Sequence, residues 1–416
     1  MPDTENLLHS LPPMLSGEKL KEALMILPEY DEIIRKEDPA ARLLGLSDLY
    51  QIYVPSLIST EIYSKLYLAL IRSLQKKGTK LSIRQQNENA KGVHGQEYRG
   101  IIGGSDSFTI IGTSGIGKSS AISRAASLIT ANRILEIPEP YTKVIPCVTA
   151  QCPFDSSVKG MLLEILRKVD ETLNSHYCEN AVWARATTDM LIGSVSQVAL
   201  NHIGLLVVDE IQNVVTSKNG KSLIGALTQL INNSGISICM VGTPECMPFF
   251  ESAMQLARRS LGLQYGPMEY GEYFLHFCET LFQYQYVQHS STIDPVIMEW
   301  LYEHSGGILS VVVSLIHDAQ EIAILTGREI LDLTALNDAY QQRMSLLHDY
   351  IRPGIVTGKQ TSSSRKKKRA LPTEKTETGN QGNACSLTEL AKQAKRDQLD
   401  VVSLLKEHII IEEVAV

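Results

Sequence analysis

The feature that most constrains this chain is the octapeptide GTSGIGKS at residues 112–119. It follows the apolar run Phe108–Ile111 and opens the helix-sized stretch Gly117–Thr130. Glycines in this spacing let the backbone curl until its N–H groups converge, and the N-terminus of the following helix adds partial positive charge. A strand, a glycine-rich loop and a helix in this order predict a site for phosphate groups.

The octapeptide matches the eight-position P-loop pattern at every position. In such a loop Lys118 neutralises the β- and γ-phosphate oxygens, and the Ser119 hydroxyl ligates Mg²⁺. The expected ligands are therefore ATP and Mg²⁺, and the absence of an Asn-Lys-x-Asp motif argues against GTP. The predicted nucleotide cradle comprises Gly112, Thr113, Ser114, Gly115, Ile116, Gly117, Lys118, Ser119 and Ser120.

A second motif, LLVVDE at residues 205–210, ends an apolar run with two carboxylates. Ligands of open α/β sheets bind at the carboxyl ends of the strands, so we expect Asp209 in the Mg²⁺ shell and Glu210 polarising the attacking water. One strand-like run, Val144–Val148, separates the two motifs. This spacing is typical of P-loop ATPases that carry a catalytic glutamate.

Two further elements follow in the chain. Thr243, at the end of the strand-like run Ile236–Val241, is a candidate sensor of the γ-phosphate, or belongs to a Gly-Thr-Pro turn without ligand contact. Arg258 or Arg259 is a candidate cation that reaches the nucleotide of a neighbouring subunit, or is part of a solvated helix end.

Strand-like runs alternate with helix-sized stretches from Ser107 onward, which predicts an α/β fold. We expect a P-loop AAA+ ATPase with a parallel five-stranded sheet flanked by helices, and a small helical lid. The predicted helices of this core are Gly117–Thr130, Ser156–Leu173, Ala181–Ile203 and Ser222–Asn233.

The domain prediction has five parts. The polar, Gly-rich segment Gln85–Asp106 is interpreted as a loop that leads into the first strand. The predicted parts are an N-terminal helical extension that contacts a target selector (1–85), the nucleotide-binding core (86–290), a helical lid (291–350), a basic flexible linker (351–385) and a C-terminal helix and tail (386–416).

Composition limits the classes of partner. The chain is 44% hydrophobic and 20% charged with a formal net charge of −7, so it has no bulk attraction to nucleic acid, and any DNA contact must come from local basic clusters. Seven scattered cysteines predict reduced core thiols. No membrane span is expected, and the predicted location is cytoplasmic.

Three motifs together resemble TnsC, the AAA+ regulator of Tn-seven-like transposons, including the CRISPR-associated ones. They are VVDEIQ at 207–212, VGTPE at 241–245 and LARRSLG at 256–262. The resemblance implies a prokaryotic protein, nucleoid-associated when DNA-bound, whose ATP-bound subunits assemble into rings or filaments on double-stranded DNA. It also implies partners of two kinds: a TnsD- or TniQ-type target selector and a TnsA/TnsB-type transposase.

The same resemblance places DNA-facing loops after the second strand and after Glu210. Their basic residues are Lys159, Lys218 and Lys221, which would contact phosphates or are ordinary solvated lysines. The segment 305–310 carries no arginine at the start of the predicted lid helix, so slow turnover is expected.

The C-terminal part leaves alternatives open. The basic run Arg365–Arg369 is an arm for DNA or transposase, or a solvated linker. The helix Ser386–His408, with Ser386 and Glu389 as a capping box, docks on a transposase or packs on the lid.

Two rival functions stand beside the transposition regulator. A replication-initiator or helicase-loader ATPase usually adds a winged-helix domain after the lid, whereas the 66 residues after Tyr350 are predicted as linker and one helix. A signalling scaffold of defence proteins would oligomerise without DNA.

Overall fold

A six-stranded sheet lies at the centre of the fold in this computed structural model, which describes residues 10–77, 79–103, 107–131, 133–138, 141–247, 250 and 262–344. The strand order is β2-β3-β4-β5-β1-β6, and all neighbouring pairs except β2–β3 are parallel. The strands are β1 (Phe108–Gly112), β2 (Leu135–Pro138), β3 (Tyr141–Gln151), β4 (Ile203–Asp209), β5 (Ser237–Gly242) and β6 (Leu263–Tyr265).

The predicted parallel five-stranded sheet is confirmed, and one antiparallel edge strand is added to it. Leu135 of β2 pairs with Val144 of β3, so the two strands form a hairpin. Strand β3 therefore begins at Tyr141, before the apolar run Val144–Val148 that identified it in the sequence. Edge strands are half-exposed and lack a continuous apolar run, which is why β2 was not predicted.

Helices cover both faces of the sheet, because successive strand residues point to opposite sides. Leu206 and Val208 of β4 belong to one hydrophobic cluster, whereas Leu205 and Val207 belong to another. The helices that contribute to the first cluster are α6 (Val158–Leu173), α8 (Thr188–His202) and α10 (Gly220–Ser234). Those that contribute to the second are α1 (Gly17–Leu24), α3 (Leu57–Lys76) and α5 (Lys118–Thr130).

The prediction of a loop over Gln85–Asp106 was wrong in its first part, because α4 extends over Lys80–Val93. The inward positions of this helix are Ser82, Gln85, Asn89 and Gly92, which repeat at helical spacing but are polar or small. A search for apolar periodicity therefore misses the helix. The expected boundary between residues 85 and 86 falls inside α4.

The single helix predicted over Ala181–Ile203 is also corrected. The structure has two helices there, α7 (Tyr177–Trp183) and α8, separated by residues 184–187. Arg185 in this break has a φ of +49°, a left-handed conformation that no helix continues through. A short helix α9 (Asn213–Thr216) follows β4.

Four helices in the C-terminal part of the described chain form a separate hydrophobic cluster. They are α11 (Glu272–Phe282), α12 (Pro295–Ser305), α13 (Leu309–Leu325) and α14 (Leu333–Arg343). Helical structure was predicted from residue 291, and α11 packs in the same cluster although it lies earlier in the chain. Among the described helices none is by itself long and apolar enough to span a membrane, and α12 with α13 meets that test only as a pair bent by 120°.

Part of the N-terminal segment packs with these helices. It contains α2 (Pro39–Gly45), two 3₁₀ turns (Glu32–Lys36 and Leu46–Tyr50) and the apolar residues Leu46, Leu49, Ile52 and Val54. The fully buried Arg42 forms a bidentate ion pair with Glu329, and the Tyr286 hydroxyl donates to Asp48 at 2.9 Å. Polar contacts thus connect the N-terminal segment to residues in the connections between these helices.

Candidate nucleotide-binding site

The P-loop has the backbone that its glycines predicted. Gly115 and Gly117 have φ values of +81° and +91°, which L-residues with a side chain rarely adopt. At Gly112 a side chain is excluded by lack of space, since a Cβ atom there would lie 2.8 Å from the Tyr265 carbonyl oxygen. Helix α5 begins at Lys118 without a side-chain cap, so its first N–H groups face the loop.

The Lys118 side chain bends back onto the P-loop. Its ammonium donates to the carbonyl oxygens of Gly112 at 2.7 Å and Thr113 at 2.9 Å. Burial lowers the pKa of Lys118, while the nearby carboxylates of Asp209, Glu210 and Glu245 act in the opposite direction. The three carboxylates hold a positive charge at the mouth of the loop, where phosphate oxygens could replace the two carbonyls as acceptors.

The two motifs meet through one hydrogen bond. The Ser119 hydroxyl donates to Asp209 Oδ2 at 2.8 Å, and the Glu210 amide donates to Asp209 Oδ1 at 2.8 Å. Strand β4 delivers Asp209 beside the start of α5 because β4 and β1 run parallel, with β5 between them. A serine hydroxyl and a carboxylate in contact form a donor set that suits Mg²⁺.

Glu210 has a φ of +58°, a strained conformation for a residue with a side chain. The Gln212 side-chain amide donates a hydrogen bond to Glu210 Oε2. The other atom of that amide, Gln212 Oε1, is buried and has no hydrogen-bond partner among the described residues. The sequence prediction assigned no role to Gln212, which orients the carboxylate expected to act on water.

Thr243 lies where the sequence placed it, directly after β5, and lines the same cavity as the P-loop. A hydrogen bond from the Thr243 side chain lowers the pKa of the Glu245 carboxyl group, with further help from the Glu245 amide. The candidate sensor hydroxyl therefore lies in the cavity with a carboxylate as its present partner.

A cavity of about 400 Å³ extends from the P-loop to the N-terminal segment and the lid. Ser310 of α13 closes it at one side, since its amide donates to the Gly115 carbonyl at 3.0 Å. This volume and its mostly apolar far end fit a nucleoside beyond the phosphate cradle. The lining residues that no motif predicted are Leu49, Tyr50, Ile52, Tyr53, Val54, Ser56, Ile58, Ser59, Ala121, Tyr273, Phe277, Leu309, Ser310, Val313 and Ser314.

The two loops with candidate DNA-binding lysines lie against each other. The Asp155 carbonyl oxygen accepts hydrogen bonds from Ser217 Oγ at 2.7 Å and from Asn219 Nδ2 at 3.3 Å. Lys159, Lys218 and Lys221 are all exposed. The structure thus brings together two loops that are about 60 residues apart in sequence.

Several predicted sites lie outside the described residues. They are Arg258 and Arg259, the end of the expected lid (345–350), the linker 351–385 and the C-terminal helix and tail 386–416.

Comparison with known proteins agrees with this architecture. Residues 102–250 match the AAA domain family. No curated protein has a significantly similar sequence. Of the solved structures, the Aeropyrum pernix ORC1 protein in complex with DNA is 13% identical with a TM-score of 0.42, and the similarity covers 63% of this chain and 64% of that one. This chain therefore spans less than two thirds of the ORC1 chain.

Two further structures have the same kind of similarity. Drosophila ORC bound to DNA is 12% identical with a TM-score of 0.46, covering 97% of this chain and 84% of that chain. Domain III of the Thermotoga maritima replication initiation protein DnaA is 14% identical with a TM-score of 0.35, covering 66% and 94%. At these identities, and with TM-scores below 0.5, the three structures carry no argument about this chain. Residues 102–250 match an AAA domain, and the fold of the chain is an α/β fold of the AAA+ P-loop type with a mostly parallel sheet flanked by helices.

Proposed function

We propose that this chain is a Mg²⁺-dependent ATPase that acts as a switch. The observation that carries the proposal is the 2.8 Å hydrogen bond between Ser119 and Asp209, which joins the phosphate loop to the carboxylates at the end of β4. Ser119 and Asp209 would hold the metal ion directly or through water. When bound, Mg²⁺ supplies charge neutralisation and orientation of the phosphate oxygens.

Residues of this chain bind the phosphates and act on the attacking water. Lys118 exchanges its two carbonyl acceptors for phosphate oxygens, and the N–H groups of the loop and of α5 bind the rest of the phosphate chain. Glu210, held by Gln212, accepts a proton from the attacking water. Thr243 donates to the γ-phosphate or to that water once its hydroxyl leaves Glu245.

The second part of the proposal is the process that the switch controls, which is DNA transposition. ATP-bound subunits assemble into a ring or filament on double-stranded DNA, with Arg258 or Arg259 acting on the neighbour's nucleotide and Lys159, Lys218 and Lys221 contacting phosphates. The assembly couples a TnsD- or TniQ-type target selector to a TnsA/TnsB-type transposase. Support comes from the three TnsC-like motifs and from the contact between the two lysine-bearing loops.

Electron microscopy of the purified chain with duplex DNA and a non-hydrolysable ATP analogue tests this proposal. We expect rings or filaments on the duplex with the analogue, none with ADP, and none for Lys118→Ala. A chain that stays monomeric with nucleotide and DNA would contradict the switch. Assembly that recruits a replicative helicase and no transposase would favour the initiator or helicase-loader alternative.

A further inference from the structure

Phe154 is the most exposed large hydrophobic residue in the described part of the chain, with 87% of its surface in contact with solvent. It lies on the turn at 153–156, between β3 and α6, and no site described above uses it. Burying a phenyl ring stabilises a protein by roughly 1.5–3 kcal/mol, and an exposed ring lacks this free energy. Phe154 is therefore a candidate contact for a partner.

The turn that carries Phe154 is held in place on both sides. The Ser156 amide donates to the Pro153 carbonyl at 2.9 Å, and the Ser157 amide donates to Asp155 Oδ1 at 3.0 Å. Ser156 is fully buried with a φ of +50°, and the Asp155 carbonyl accepts from the neighbouring loop. The ring is therefore presented by an ordered backbone, which reduces the entropy lost when it binds a partner.

The surroundings of this turn are basic in an acidic chain. Lys159 Nζ donates to the Ala186 carbonyl at 3.3 Å, which places the segment with Arg185 beside the first turn of α6. The exposed charges of segments 153–159, 183–187 and 215–221 are four cations and one carboxylate, although the chain as a whole carries −7. These charged residues are Lys159, Arg185, Lys218, Lys221 and Asp155.

An exposed aromatic ring among cations fits a polyanion with flat apolar faces, which describes nucleic acid. We infer that Phe154 contacts the bases of bound duplex DNA, as a ring that stacks on or wedges between them, while Lys159, Arg185, Lys218 and Lys221 hold the flanking phosphates. This inference rests on the proposed DNA binding and adds a base contact to it. Side chains that insert between base steps unstack them locally, which favours deformable steps over rigid ones.

The test measures duplex affinity over a range of salt concentrations in the presence of a non-hydrolysable ATP analogue. Phe154→Ala should weaken binding by about fivefold to a hundredfold and leave the salt dependence unchanged, because no phosphate contact is lost. Phe154→Tyr should keep most of the affinity. Lys218→Ala should instead reduce the slope of log affinity against log salt by about 1.

Leu44→Ala is the matched control, since Leu44 is 77% exposed on α2 and outside these loops. A duplex with 2-aminopurine at a TA step provides a second readout. Wild type and Phe154→Tyr should change its fluorescence on binding, and Phe154→Ala should not.

Equal affinity and equal fluorescence for wild type and Phe154→Ala would overturn the inference and leave the proposed DNA binding intact. Loss of nucleotide-dependent oligomerisation in Phe154→Ala without DNA present would also overturn it, because the ring would then contact a neighbouring copy. If the wild type fails to bind duplex, the proposed function fails and the base contact fails with it.

Discussion

At the scale of single residues, Asp209 and Glu210 are adjacent carboxylates with different hydrogen-bond partners. Both oxygens of Asp209 are engaged, one by the Ser119 hydroxyl and one by the Glu210 amide. Glu210 has a left-handed backbone, and its carboxylate accepts a hydrogen bond from the Gln212 side chain. This difference is what the proposed mechanism uses, with Asp209 as the metal ligand and Glu210 as the base.

Glu210→Gln should retain nucleotide binding and lower the rate of ATP hydrolysis by about 10²- to 10⁴-fold, because the amide cannot accept the proton of water. Phosphate release and binding of a fluorescent ATP analogue measure the two effects. Glu303→Gln is the control, since Glu303 is exposed on α12 and does not line the cavity. Turnover of Glu210→Gln at the wild-type rate would remove this residue from the mechanism.

Lys77 is a second residue whose environment has a measurable consequence. It is 4% exposed, and its ammonium donates to the carbonyls of Ala199 at 3.0 Å and Leu200 at 2.6 Å, at the C-terminal end of α8. Burial lowers the pKa of Lys77 to about 7, below its usual value of 10.5. Between these two values the unfolded chain binds more protons than the folded one, so the free energy of unfolding rises with pH.

We therefore expect Lys77 to raise the stability of the wild type between pH 7 and 8.5, against a background change from the buried thiols that Lys77→Met shares. In Lys77→Met this gain should be smaller, because the substituted residue binds no proton in either state. Urea unfolding of both proteins at the two pH values provides the measurement. Parallel stability curves would show that Lys77 is not the group that titrates.

At the scale of elements, α4 shows that a helix can be buried through polar side chains. Gln85 Oε1 accepts from the amides of Ile101 and Ile102, and Gln85 Nε2 donates to Asn89 Oδ1 and to the Arg99 carbonyl. These bonds hold the segment that leads into β1. At the end of the same inward face, Gly92 approaches α8 so closely that a Cβ at Gly193 would lie 2.6 Å from the Gly92 carbonyl carbon.

Gln85→Ala should lower the free energy of unfolding by about 1–3 kcal/mol, because it leaves the buried Ile102 amide and the part-buried Ile101 amide without their acceptor. Chemical denaturation measures the loss. Asn87→Ala, an exposed position on the same helix, should change stability by less than about 0.5 kcal/mol. Equal effects of the two substitutions would mean that the Gln85 network contributes no stability.

At the scale of the whole molecule, the cavity is built from parts far apart in the chain. The P-loop contributes one wall, the N-terminal residues 49–59 a second, and α11 with α13 the third. The last two walls are joined through the ion pair between Arg42 and Glu329. Arg42 lowers the pKa of the Glu329 carboxyl group through this hydrogen-bonded contact, so the pair is lost when acid protonates Glu329.

Glu329→Gln should destabilise the chain by about 3–5 kcal/mol, because Arg42 remains buried without a countercharge. ATP binding should also weaken, because the ion pair no longer connects two walls of the cavity. Thermal unfolding and nucleotide titration measure the effects.

The double variant Arg42→Met/Glu329→Gln should lose less stability than the sum of the two single variants. Glu321→Gln breaks the half-exposed pair with Arg343 and should cost less than about 1 kcal/mol. Additive losses at Arg42 and Glu329 would show that the two residues do not act as a pair.

The amino-acid sequence by itself determined the parts of this protein that depend on local chemistry. The glycine spacing of residues 112–119, the carboxylates that end β4 and the alternation of strands and helices are each specified within a few neighbouring residues. They therefore predicted the P-loop, the positions of Asp209, Glu210 and Thr243, and a parallel sheet.

Only the tertiary structure decided which distant segments close the cavity. Leu49 to Val54, Phe277 and Val313 carry no motif, because an apolar side chain has the same local pattern in a core and in a nucleotide pocket. The polar inward face of α4 and the contact between Gln212 and Glu210 likewise depend on partners that local sequence does not name. Packing brings these groups together across the fold, and it is this packing that turns a phosphate loop into a closed site.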